Sequence, residues 1–266
     1  MWKRMRIESL GEGDPEVAVV GGIHGDEPCG VRAVEHFIAE RPDVARPVAF
    51  VLANEEATAR ERRYVETDLN RAFPGDPEGT THESSLAHAL GEAIGDCTTL
   101  ALHSTQSYER MFAVVDELGD LARAVCPRLS IDAVVETGAP EGRIFEAVPE
   151  TIEVECGYQG SERAAENAIR VTREFLGATG VLPDAEPPRR SGIPVFRLGD
   201  PVPKRAADEY EVLAENFDEV LAGETFATVD GEAVVADEAF HPVLMSADGY
   251  EDVFGYTAER VGTLPG

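Results

Sequence analysis

Lysine is almost missing from this chain: of its 23 basic residues only Lys3 and Lys204 are lysines, the rest being arginines. Acidic residues number 51, and the resulting net charge of −28 is spread along the whole length instead of forming a tail. A charge of that sign repels nucleic acid and anionic membranes, so neither is an expected partner. The apolar fraction of 43% is that of an ordinary globular core. A normal core under an acidic, lysine-poor surface points to a protein adapted to salt, since at 1 M the Debye length shrinks to about 3 Å and self-repulsion is screened. Attraction of a cationic partner is the weaker reading of the same charge. Long apolar runs are also lacking; none approaches the roughly 18–20 residues of a membrane span. The start, MWKRMRIESL, has basic residues but no apolar stretch behind them, so no signal peptide is expected. Cysteine is sparse, and Cys29, Cys97, Cys126 and Cys156 stand far apart with no CxxC. They read as reduced thiols of a cytoplasmic protein, not as a disulfide or metal framework. HExxH is absent, which argues against helix-borne metalloprotease chemistry.

What is present is an alternation of apolar runs and amphipathic stretches. Residues 17–22, 48–53, 98–102, 111–115, 133–136 and 151–156 read as strands, and 29–40, 83–94, 118–126 and 161–176 as helices. Continuous apolar strands between helices predict an α/β fold with a mostly parallel or mixed sheet covered by helices on both faces. The proline-rich segment 182–191 reads as a linker. Beyond it come short strands at 194–198, 224–229, 232–235 and 243–246, with a turn at Asp230-Gly231. The expected organisation is therefore a domain over 1–181, a linker over 182–191, and a small β-rich domain over 192–266.

Ligand sites in such sheets lie beyond the carboxyl ends of the strands. His24, Asn54, His103 and Glu155 all fall at or just past such ends. His24 and Glu27 follow an apolar strand and two glycines, and a catalytic zinc commonly takes a His₂Glu set with one position left for water. His103, at the end of another strand, supplies the third ligand. A lone strand-end histidine is more often a satisfied polar residue; the set of three is what carries the reading. His36, His82, His88 and His241 lie in helices or in the β-rich part and are weaker candidates. Glu153 and Glu155 share one face of an apolar strand, and Glu155, nearer the strand end, is placed to act as a general base over the metal. In RRYVETDLNRAFPG, Arg63, Asn70 and Arg71 sit in a turn-like segment, and paired arginines beside a metal suit an acidic substrate. Taken alone, that segment could equally be a surface loop.

Four motifs in order, HGDE at 24–27, DLNRAFPG at 68–75, LHST at 102–105 and VECG at 154–157, resemble the succinylglutamate desuccinylase/aspartoacylase family of the zinc carboxypeptidase-like superfamily. The resemblance covers nearly the whole chain, including HPVLMSADGYEDVFGY near the end. It implies one zinc per chain held by His24, Glu27 and His103, and Glu155 as the catalytic base. It further implies Arg63 as a catalytic and substrate-binding residue, with Asn70, Arg71, Asn54 and Tyr250 as substrate contacts. Position 145, where a further substrate arginine would stand, holds Phe, and Arg143 fits only with a gap of two residues. The implied activity is hydrolysis of the amide of a small N-acyl amino acid, such as an N-acetylaspartate- or N-succinylglutamate-like compound. A zinc carboxypeptidase and a catalytically silent binding protein are the alternatives. A homo-oligomer is compatible with the sequence, which does not specify one.

Overall fold

The strands form where β-branched and apolar residues run together, and the sheet is assembled around four of them. The computed structural model describes residues 5–138, 141–185 and 187–265; Lys3 and Glu186 of the expected linker lie outside these. In chain order the elements are β1 (Arg6–Leu10), β2 (Val17–Gly21), α1 (Pro28–Glu40), β3 (Val48–Leu52), α2 (Glu55–Ala59) and α3 (His82–Ile94). Then come β4 (Thr98–Thr105), β5 (Phe112–Val115), α4 (Asp120–Val125), β6 (Val134–Glu136), β7 (Thr151–Tyr158) and α5 (Glu162–Ala178). The last part holds β8 (Ile193–Pro203), β9 (Tyr210–Val212), β10 (Thr225–Val229), β11 (Glu232–Val235), β12 (His241–Val243) and β13 (Val253–Leu264).

Ten strands make one mixed sheet in the order β1-β3-β2-β4-β7-β5-β6-β8-β13-β12. Its centre is parallel: β2 pairs with β3 and β4, and β4 with β7. Because side chains alternate along a strand, each central strand feeds two cores. Val19, Phe50, Leu102 and Val154 pack with Val34 and Phe37 of α1 and Val171 and Phe175 of α5. Val20, Val51 and Ala101 pack on the other side with Leu86, Leu90 and Ile94 of α3. Helices thus cover both faces, as the uninterrupted apolar strands require. Ser161 and Thr81 accept hydrogen bonds from the N–H groups of Ala164 and Ser84, capping α5 and α3.

The boundary expected at 182–191 does not divide the sheet. β8, just past it, pairs in parallel with β6, and β13 and β12 continue outward from β8. Among the described residues only β11-β10-β9 form a separate, three-stranded antiparallel sheet, with its own core around Phe226, Val229 and Phe254. The long strand β13 was not expected; it mixes exposed Glu259 and Arg260 with glycines and lacks an apolar period. Among the described residues no helix is long and apolar enough to cross a membrane. All four cysteines are free and buried.

Candidate active site

The loop after β2 is shaped by glycine at two positions. Gly22 takes φ +67°, turning the chain off the strand, and a Cβ on Gly25 would lie 2.1 Å from the carbonyl carbon of Ala57. The loop is thereby pressed onto α2, and His24 and Glu27 are buried. Glu27 is the N-cap residue of α1, where the unpaired amides of a helix start favour a negative charge. From the neighbouring strand, His103 of β4 stands in register with Glu155 of β7.

Three side chains converge here. His24 Nδ1 lies 2.7 Å from Glu27 Oε1, and His103 Nδ1 lies 3.1 Å from Glu27 Oε2. The Ser104 amide donates to the same Oε2 at 3.0 Å. Each imidazole is backed by a second carboxylate: His24 Nε2 is 3.0 Å from Asp68 Oδ1, and His103 Nε2 is 3.5 Å from Glu153 Oε1. With its Nε2–H donated to Asp68, His24 presents a lone pair at Nδ1, and His103 turns its own Nδ1 to the same carboxylate. Such a grouping closes only around positive charge, either added protons or a cation. Burial by itself would lower the histidine pKa values, but Glu27, Asp68 and Glu153 raise both, and the histidines in turn hold Glu27 well below the usual carboxylate range. The ligand atoms of His24, Glu27 and His103 all lie within 4.8 Å of one another. Two imidazoles and a carboxylate, backed by outer carboxylates, fit a catalytic zinc.

The two glutamates of β7 face the same cavity with different surroundings. Glu153 is pinned: Oε1 accepts from Asn70 Nδ2 at 2.7 Å, and Oε2 pairs with Arg143. Burial pushes its pKa up, but the Arg143 and His103 charges prevail and keep it ionised. Glu155 Oε2 is buried with no hydrogen-bond partner. Burial lifts its carboxyl to about 7; nearby His103 opposes the shift, and repulsion from Glu27 and Glu153 adds to it. A carboxylate free on one oxygen and titrating near neutrality can accept and return a proton.

Above these groups is a cavity of about 200 Å³. Arg63, Asn70, Arg71, Arg143 and Tyr250 all line it. Arg63 is tied by Nε to Asp68 at 3.0 Å and by Nη1 to Glu27 at 3.3 Å, while Nη2 makes neither bond. Arg71 donates Nη1 to the Asn70 carbonyl at 2.6 Å and has no carboxylate partner among the described residues. Burial and the nearby Glu155 charge raise the Tyr250 phenol pKa, so it stays a neutral donor. Asn70 is already engaged at both polar atoms, since Oδ1 accepts from Ile144 N as well. Asn54 departs from the expectation. It is outside the cavity, fully buried, capping α2 through Oδ1 and donating Nδ2 to Glu83 at 3.1 Å. A strand-end asparagine next to a helix start serves the helix, and residue type alone does not separate that use from ligand binding. Asp68 and Glu153 were not identified as site groups, nor was the pairing of Glu153 with the candidate Arg143, although Asp68 stands inside DLNR, one of the motifs that brought Asn70 and Arg71 forward. Leu198, Leu244 and Tyr256 complete the wall from β8, the segment after β12, and β13.

This chain belongs to the succinylglutamate desuccinylase/aspartoacylase family: residues 13–178 match the "Succinylglutamate desuccinylase/Aspartoacylase catalytic domain". Among curated relatives, it is 38% identical over 106 residues to an N-acyl-aromatic-L-amino acid amidohydrolase of Rattus norvegicus, covering 34% of this chain and 33% of that protein. It is 41% identical over 73 residues to an aspartoacylase of Xenopus tropicalis, covering 26% and 23% respectively. The matched segments thus span a third or less of these relatives. In fold it is similar to a succinylglutamatedesuccinylase/aspartoacylase from Rhodobacter sphaeroides, with TM-score 0.79 at 20% identity over 96% of this chain and 89% of that one. Murine aminoacylase 3 matches with TM-score 0.73 at 22% identity, covering 96% and 99%.

Proposed function

We propose that this protein is a zinc-dependent amidohydrolase that removes the acyl group from a small N-acyl amino acid. The observation that carries the reading is Glu155, unpartnered at Oε2 and in register with His103 beside the His24–Glu27–His103 cluster. His24, Glu27 and His103 would hold one zinc ion per chain. Bound there, zinc supplies a Lewis acid and lowers the pKa of a coordinated water toward neutrality. Glu155 takes a proton from the attacking water and passes it to the leaving amine. Arg63 offers its uncommitted Nη2 to the developing oxyanion, an interaction whose loss typically costs about 10²–10³ in rate. Arg71 and Tyr250 receive the substrate carboxylate, and Asn70 fixes Glu153 and the Ile144 amide around them. The C-terminal wall of Leu198, Leu244 and Tyr256 narrows the cavity to small-molecule size, which favours an acyl amino acid over a peptide chain. The buried free thiols fit a reducing, cytoplasmic setting, and the acidic surface fits one rich in salt.

The test is elemental analysis of protein purified with zinc, together with a panel of N-acyl amino acids assayed in molar salt. One zinc per chain with acyl release supports the reading. A zinc-loaded protein inactive on the whole panel, or a protein that binds no metal, overturns it.

A further inference from the structure

The cavity has three arginines, and their partners differ. Arg63 is bound to Asp68 and Glu27. Arg143, partly buried, is bound to buried Glu153, with side-chain exposures of 18% and 3%. Its ring-side neighbour is Phe145, 5.4 Å from the guanidinium to the ring centroid. Only Arg71 is without a carboxylate among the described residues. Four carboxylates also line the cavity, Asp26, Glu27, Glu153 and Glu155. Besides His24 and His103 at its floor, the cavity is otherwise lined by uncharged side chains that include Thr137, Leu198, Leu244, Tyr250 and Tyr256.

Resting on the deacylase reading, we infer that this site selects N-acyl amino acids with a single carboxylate and rejects dicarboxylic ones. One anion finds Arg71 and the Tyr250 hydroxyl. A second would have to approach Arg143, where Glu153 already occupies the guanidinium and carries like charge. Glu153 cannot move aside cheaply, because Asn70 Nδ2 also holds it. Salt screens this repulsion poorly, since buried charges are shielded far less than exposed ones. Glu153 therefore acts as a specificity residue: it neutralises a cation that would otherwise recruit a second carboxylate.

N-acetyl-L-asparagine and N-acetyl-L-aspartate differ in charge at nearly constant shape, so they isolate the effect. The wild-type, zinc-loaded enzyme should show kcat/KM about 30- to 100-fold higher for the asparagine compound, the cost of an unpaired buried charge. N-acetyl-L-leucine should group with the asparagine compound. Glu153→Gln keeps an acceptor for Asn70 and releases the Arg143 charge. Its activity should fall on both substrates, but the asparagine-to-aspartate ratio should shrink tenfold or more, whereas a merely structural defect lowers both equally. Equal or better cleavage of the aspartate compound by wild type, or an unchanged ratio in Glu153→Gln, overturns the inference and leaves the deacylase reading standing. Cleavage of no acyl amino acid at all removes both.

Discussion

Glu153 and Glu155 are identical in type, share a strand face and are separated by one valine, yet their surroundings assign them opposite tasks. Arg143 and Asn70 fix Glu153 as a permanent anion, while nothing holds Glu155 Oε2. Replacing Glu155 by Gln should leave the zinc content at one per chain and lower kcat by about 10³-fold, within the range expected for loss of a general base. Metal analysis and turnover on the same sample check this, and an active, zinc-loaded variant would refute the assignment. The pH profile follows with its sign. The carboxyl is raised to about 7 by burial, and only the ionised form accepts a proton. Activity is therefore present above that pKa and falls as pH drops through it. A divalent cation beside the group favours ionisation, so the acid limb of kcat/KM should lie between about 4.3, the ordinary Glu value, and 7, and disappear as a Glu155-dependent limb in the Gln variant. His24, His103 and Glu155 were legible as strand-end residues, and Glu27 by its spacing from His24. The Glu153–Arg143 pair was not, because it joins a strand to a loop and shows no local pattern.

At the scale of elements, the segment from β12 to β13 depends on one of the two lysines. Lys204, at the end of β8, donates Nζ to the carbonyls of Ala247 at 2.5 Å and Tyr250 at 2.6 Å. The same ammonium lies 5.1 Å from the Tyr210 ring centroid and 5.5 Å from that of Phe254. A compact ammonium with rotatable donors can serve two carbonyls and two ring faces at once, where a planar guanidinium would not. Through the Tyr250 carbonyl, Lys204 holds the segment that carries Tyr250. Lys204→Met should raise KM roughly fivefold to tenfold, the loss of a charge-assisted hydrogen bond or two, with kcat little changed. The effect should vanish in a Tyr250→Phe background; a full effect there would show that Lys204 acts otherwise. β12 and β13 explain why the sequence under-read this region. β12 has only three residues, most of β13 is exposed or half-buried, and β13 is recognised as a strand only by its long pairing with β8.

At the scale of the whole molecule, charge and sheet continuity dominate. With 51 acidic against 23 basic residues, folding brings like charges together without enough cations to offset them. The melting temperature should rise by several degrees or more between 0.1 and 2 M salt, as the Debye length falls from about 10 Å to under 3 Å. Calorimetry across that range checks it, and a flat or falling profile would contradict adaptation to salt. The sheet runs without a break from β1 to β12, across the segment that reads as a linker. Proline and polar residues mark a change of local pattern there, whereas pairing of β8 with β6 is a long-range event. The sequence by itself determined the central strands, their helices and the metal-ligand candidates, because each follows from periodicity, glycine placement and residue chemistry within a short window. The tertiary structure decided which arginine stays free, which glutamate stays unpartnered, that Asn54 serves a helix, and how the C-terminal strands close the cavity. Those depend on residues far apart in the chain meeting in a buried space, where each charge is defined by its neighbours.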